Sequence, residues 1–226
     1  MSFKDNFRGD SAYSHIMTKA FDILWLSLLW LFCSLPIITV GISTTALYYV
    51  MIKLVRDEET AITRTFFRAF KENLKQGFAA GILLLLAIGI MVADFHILGG
   101  QGKSVSSVMY GCCVVILLVL TAVFSYVFPL IARFQNTLGR QFGNAARLAA
   151  SCLGQTVLMV IVNLLPVAWF MLSPETFSAV FWIWVFVGMG VQAFINSLML
   201  SPILKKLEEF RKKFLVENNY QIFFFF

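Results

Sequence analysis

Charge is scarce in this chain: 13% of its 226 residues are Asp, Glu, Lys or Arg, against 59% hydrophobic. So little polarity cannot clothe a water-soluble domain of this size, and a soluble fold is excluded first. Membrane helices need ~20 apolar residues each, so the supply furnishes about six spans and leaves nothing for a catalytic domain outside the membrane. Histidine is scarcer still, with only His15 and His96. His15 lies ahead of the first apolar run, and His96 is two residues from Asp94, a spacing that sends the two side chains to different helix faces. A His-His-Glu metal centre cannot be assembled from them, and no paired base or second acid at membrane depth suits a serine or aspartyl intramembrane enzyme. The cysteines Cys33, Cys112, Cys113 and Cys152 sit inside apolar runs without a C-x-x-C motif, and read as small packed residues rather than metal ligands. A G-x-x-x-x-G-K-[ST] loop is absent too, so any ATP-driven role must borrow its ATPase from another chain. The chain reads as non-enzymatic and without a cofactor. No A-x-A site follows the first apolar run before hydrophobic sequence resumes, and that run is expected to stay uncleaved.

What is present is a series of long apolar runs. Four of them, about 77–97, 107–130, 151–172 and 178–203, are each long enough at 1.5 Å per residue to cross ~30 Å of hydrocarbon. The segment from Phe21 to Val55 is too long for one span and is broken by Pro36 and Gly41 within LPIITVG, which predicts a hairpin with arms at about 21–36 and 41–55. Those arms fall at or below the usual minimum of ~17 residues, which leaves a re-entrant pair open. The expected fold is all-α, a single polytopic membrane helical bundle over 1–226 with six spans and a cytoplasmic tail at 204–226.

The formal charge of +6 is read as topology rather than as a nucleic-acid footprint. With six spans, only Lys103 falls on the face opposite to every other Lys and Arg, which places both termini in the cytoplasm. Five spans would carry Lys4, Arg8 and Lys19 outside and spoil that asymmetry. Trp169, Trp182 and Trp184 flank a short turn at Ser173 and Pro174 and read as an outer interfacial belt, with a sugar-stacking platform as the alternative.

Two cytoplasmic segments are amphipathic. Over 60–76, Ile62, Phe66, Phe70 and Leu74 recur every fourth residue while Arg64, Arg68, Lys71 and Lys75 occupy another face. Over 133–148, Phe134, Leu138, Phe142 and Ala146 repeat the design, with Arg133, Arg140 and Arg147 every seventh residue. Both are expected to lie flat in the inner interface beside acidic lipids, with docking of a partner as the functional alternative. Each precedes a pair of spans, and the stretch from Asp10 to Ala20 leads into the first hairpin in the same way, which suggests three related units.

Polar side chains within the spans complete the inventory. Asn163 and Gln192 fall near the centres of their helices, and Gln192, Asn196 and Gly188 share a stripe. The plain reading is interhelical hydrogen bonding; the sharper one is a polar lining for a neutral solute such as a sugar, with Asp94 near its outer mouth. Pro166 and Pro202 can expose carbonyls in the same helices.

The stretch CSLPIITVGISTTALYYVMIKLVRDEE, followed by FFRAFKENLKQ and later by YVFPLIARFQN, resembles the YesL family of bacterial integral membrane proteins. The likeness runs from about Phe3 to Lys213, and the aromatic tail IFFFF lies outside it. That resemblance implies a bacterial cell-membrane protein associated with carbohydrate uptake, with a sugar transporter of the ABC type or another membrane subunit as partner. It carries no catalytic residue to this chain. The expectation is an accessory subunit; a sugar permease or channel is the alternative.

Overall fold

The computed structural model describes residues 4–58, 61–100 and 107–217, and among these every regular element is helical. Lys103, the IFFFF tail and the start of the predicted 60–76 helix at Thr60 lie outside the described residues. Helix α1 (Lys4–Ser34) is one continuous rod, with no separate lead-in helix before the first span. Pro36 ends it, a short 3-10 turn (Ile37–Thr39) follows, and α2 (Val40–Val55) returns. Counted from Ile16 and from Ile37, the two arms supply 19 apolar-rich residues each, so both reach the length of a full span. The shortfall expected from sequence came from starting the first arm at Phe21 and the second at Gly41.

Next come α3 (Ile62–Glu72) and α4 (Leu74–Gly100), α5 (Ser107–Arg133) and α6 (Leu138–Ser151), then α7 (Leu153–Leu172). The last stretch joins α8 (Pro174–Ile183) through a π turn (Trp184–Gly188) to α9 (Met189–Glu217). The helix runs on through 204–217, the described part of the segment expected as the cytoplasmic tail. Among the described residues, six segments are long and apolar enough to cross a membrane.

Helix α2 is the central post. Nearly every position from Gly41 to Leu54 is buried, with α1, α3, α4, α5 and α9 all packed around it. Glycine makes the closest of these approaches possible. A Cβ placed on Gly41 would overlap the Gly77 carbonyl oxygen and Gly81 Cα and stand 2.6 Å from Gly81 N, so α2 and α4 meet backbone to backbone through a small-xxx-small pair. A second close contact joins α1 to α9, where Gly190 N–H donates to Ser27 Oγ at 2.9 Å.

The core sits toward one end of the bundle. On α5, every residue from Phe124 to Ala132 is buried, whereas Val108 to Val119 is exposed on nearly all sides. The packed end also holds the ion pairs: Lys19 meets Asp57, while Arg56, Arg133, Glu58 and Glu208 converge. Lys19 of α1, Arg56 at the end of α2 and Arg133 at the end of α5 thus meet Asp57, Glu58 and Glu208 at one end of the bundle.

Candidate functional site

The sequence stripe on α9 becomes a hydrogen-bonded network that ties four helices together. Asn163 of α7 is its hub: its Nδ2 donates to Ser125 Oγ of α5 at 2.6 Å, and its Oδ1 accepts from Gln192 Nε2 and Asn196 Nδ2, each at 2.7 Å. Asn196 Nδ2 also donates to Tyr48 OH of α2 at 3.1 Å. Ser125 in turn donates to the Thr121 carbonyl one turn back, at 2.6 Å. Asn196 is fully buried, and Asn163 and Gln192 are half-buried. Depth follows from helix rise: Ser125 precedes Arg133 by about 12 Å and Asn196 precedes Glu208 by about 18 Å, which puts the network near the middle of the apolar layer.

Helix geometry explains the convergence. Gln192 and Asn196 are one turn apart and share a face, so both amides reach the same carbonyl oxygen on α7. Pro129 and Pro166 lie within α5 and α7, and each removes the N–H that would bond the carbonyl four residues earlier, at Ser125 and Val162. Main-chain polarity therefore rises at the same level as the side-chain amides. Asn196 Oδ1 remains buried and accepts no hydrogen bond among the described residues, as do the hydroxyls of Ser43 and Ser197.

Asp94 does not join this network. It stands on α4 about 30 Å along the axis from Leu74, well beyond the level of Asn163, and the rise of the helix alone separates them. The missing partner on the sequence side was Tyr48, whose hydroxyl is buried in α2; a Tyr inside an otherwise apolar span needs a hydrogen-bond partner, and that signal was present. Ser125 carried no such signal, since hydroxyls within helices commonly bond their own backbone.

The basic residues divide into two groups. Arg133 was expected on a surface helix over 133–148, but it ends α5, and the next helix begins only at Leu138. Its Nε lies 3.3 Å from Glu208 Oε1 without hydrogen-bond alignment, and Arg56 Nη1 donates to Glu208 Oε2 at 2.9 Å. Both guanidinium side chains are 13% exposed and Glu208 is 31% exposed, so the carboxylate neutralises two largely covered cations. Glu58 is more exposed and farther away, at 3.7 Å from Arg133 and 3.9 Å from Arg56. Glu208→Gln is therefore expected to destabilise the chain by about 1.5–3 kcal/mol and Glu58→Gln by less than about 1 kcal/mol, read from melting in detergent. Equal effects of the two would contradict this division of roles.

Arg64, Arg68, Lys71, Lys75, Arg140 and Arg147 form the second group. All are exposed, and none makes an ion pair among the described residues. The helices that carry them do not offer their apolar faces outward. Phe66 and Ala69 of α3 are fully buried against the bundle, with Ile62 and Phe70 packed beside them, while Leu74 already belongs to α4 and is 45% exposed. On α6 the buried face centres on Gln141, Ala145 and Ala149; of the expected series Leu138 and Phe142 pack half-buried beside it, Phe134 is buried just ahead of the helix, and Ala146 is exposed. Gln141 fixes that rotation because its Nε2 donates to the Phe134 carbonyl at 2.5 Å, one of the orphan acceptors that follow α5. At the other end, Trp169 Nε1 donates to Thr176 Oγ1 at 3.2 Å, and Phe177 packs edge-on against Trp169 and Phe170. The aromatic cluster thus builds the turn between α7 and α8, with Trp182 pointing outward at 67% exposure.

No curated protein and no solved structure matches the chain. Residues 23–95, which include Gly41, Tyr48, Gly77 and Gly81, are similar to the family described as protein of unknown function, DUF624.

Proposed function

We propose that this chain is a non-enzymatic subunit of the bacterial cell membrane, with both termini in the cytoplasm, that acts by contact with another membrane protein of a carbohydrate uptake system. One observation carries the reading: the amide N–H groups at mid-membrane depth are engaged by neighbouring helices of the same chain. Gln192 and Asn196 both donate to Asn163, Asn163 donates to Ser125 and Asn196 to Tyr48, which is how polar side chains hold helices together rather than how they line a path for a sugar. Resemblance to the YesL family supplies the link to carbohydrate uptake and to a transporter of the ABC type as partner. The gathering of cations at one end supports cytoplasmic termini. A cysteine introduced at Ser2 is accordingly expected to resist an impermeant reagent in intact cells, and its modification there would reverse the orientation.

The second reading, a permease for a small neutral solute, draws on Asn196 Oδ1, a buried acceptor that has no donor among the described residues. Purification from native membranes in mild detergent separates the two. A stoichiometric transporter component retained with the chain supports the accessory role. An isolated chain or homo-oligomer that retains no other protein overturns it.

A further inference from the structure

The two surface helices share an arrangement of sectors that neither the ion-pair cluster nor the amide network uses. At ~100° per residue, Phe67 of α3 stands about 115° round from the centre of the buried face, Lys71, Arg64 and Arg68 about 155–215°, and Glu72 about 255°. Phe67 is 42% exposed, and the three cations and Glu72 are exposed as well. Turning about the helix, the order is bundle, apolar, cationic, acidic. On α6 the same construction, again from ~100° per residue, puts exposed Ala146 and Gly139 about 95–115° from the buried face, Arg147 and Arg140 about 195–215°, and Asn144 about 255°. The order is again bundle, apolar, cationic, polar.

A helix docked at the edge of a membrane bundle meets three media in turn: hydrocarbon, headgroups and water. The sector beside the apolar edge and before the acidic or polar one is at headgroup depth, and in both helices that sector is cationic. Among the described residues no carboxylate pairs with these five side chains, which leaves them open to an anion from outside the molecule. Guanidinium groups match phosphate oxygens through paired N–H donors, and a patch of this size attracts the anionic inner leaflet over about a Debye length.

We propose that the faces formed by Arg64, Arg68 and Lys71 of α3 and by Arg140 and Arg147 of α6 bind the phosphates of anionic phospholipids in the inner leaflet. The helices are held by the bundle, not by lipid, so the headgroup contact is a recognition surface and not the force that keeps them in place. Its loss leaves the fold intact.

The test uses the full chain in nanodiscs of phosphatidylcholine alone or with phosphatidylglycerol added. Phosphatidylglycerol is expected to raise the melting temperature of the wild type, since a ligand stabilises the state that binds it, and salt should shrink the shift. The triple variant Arg64→Gln, Arg68→Gln, Lys71→Gln should melt like the wild type in phosphatidylcholine and lose most of the phosphatidylglycerol shift. A photo-crosslinking residue at position 68 should yield phospholipid adducts in native membranes. An undiminished shift in the variant, a wild-type shift reproduced by inorganic phosphate in phosphatidylcholine discs, or adducts with protein alone would each overturn the proposal; the last would give the face to an acidic partner. None of these outcomes depends on whether a transporter co-purifies.

Discussion

Replacing Gly41 by alanine is expected to destabilise the chain more than any other single-methyl addition in the membrane, by about 3 kcal/mol or more, beyond the usual range for overpacking a core. The new Cβ would overlap backbone atoms of Gly77 and Gly81, and backbone atoms of a spanning helix cannot turn aside as a side chain does. Relief requires α2 and α4 to move apart, which opens contacts around the central post. Gly81→Ala should behave similarly, because its Cβ would lie 2.9 Å from Gly41 Cα and N. Gly89 and Gly111 provide the control: a Cβ at either meets nothing within 4 Å, so alanine there should leave melting unchanged or raise it through helix propensity by up to about 1 kcal/mol. Melting of the four alanine variants in detergent checks the prediction, and equal behaviour of Gly41→Ala and Gly89→Ala would sink it.

That contrast also marks how far the sequence could be read. The six spans were legible because apolar runs of about 20 residues have one solution in a bilayer, and the first pair breaks at Pro36 as expected, whereas Gly41 lies inside α2 as a packing residue and not in the turn. Which glycines touch was not legible. Gly77 and Gly81 have small-xxx-small spacing, but a loop and a surface helix separate them from Gly41, and no local pattern names Gly41 as the residue they meet. The same limit explains α6. A four-residue repeat through Phe134, Leu138, Phe142 and Ala146 fits an ideal wheel, but Phe134 precedes the helix, and Gln141 turns the buried face by capping carbonyls at the end of α5. A buried glutamine on that face looks polar in sequence and acts as core. The amide cluster was half visible: Gln192 and Asn196 share a face by periodicity, whereas their meeting with Asn163, Ser125 and Tyr48 depends on three interhelical contacts that no local pattern encodes. Arg133 was misplaced for a simple reason, since heptad spacing with Arg140 and Arg147 says nothing of the non-helical turn between residues 133 and 138.

Asn163→Leu should have the second large effect. That change removes a hub with three direct hydrogen bonds, each worth about 0.6–2 kcal/mol between membrane helices, and it leaves the Gln192 and Asn196 amides facing a hydrocarbon side chain. The expected cost is about 2–4 kcal/mol by that scale. Gln192→Leu removes one bond and Asn196→Leu two, so the three variants should rank Asn163, Asn196, Gln192 in order of destabilisation. Because all three share the Asn163 carbonyl, the double variant Asn163→Leu, Gln192→Leu should cost less than the sum of the singles.

Melting of the purified wild type and these Leu variants across a panel of neutral sugars tests most directly the claim that the buried amides join helices and do not bind a solute. The account predicts that no sugar raises the melting temperature of the wild type and that the variants keep their ranking in every sugar. A sugar that stabilises the wild type and loses its effect in Gln192→Leu would contradict it, and would make the mid-membrane network a binding site for the solute.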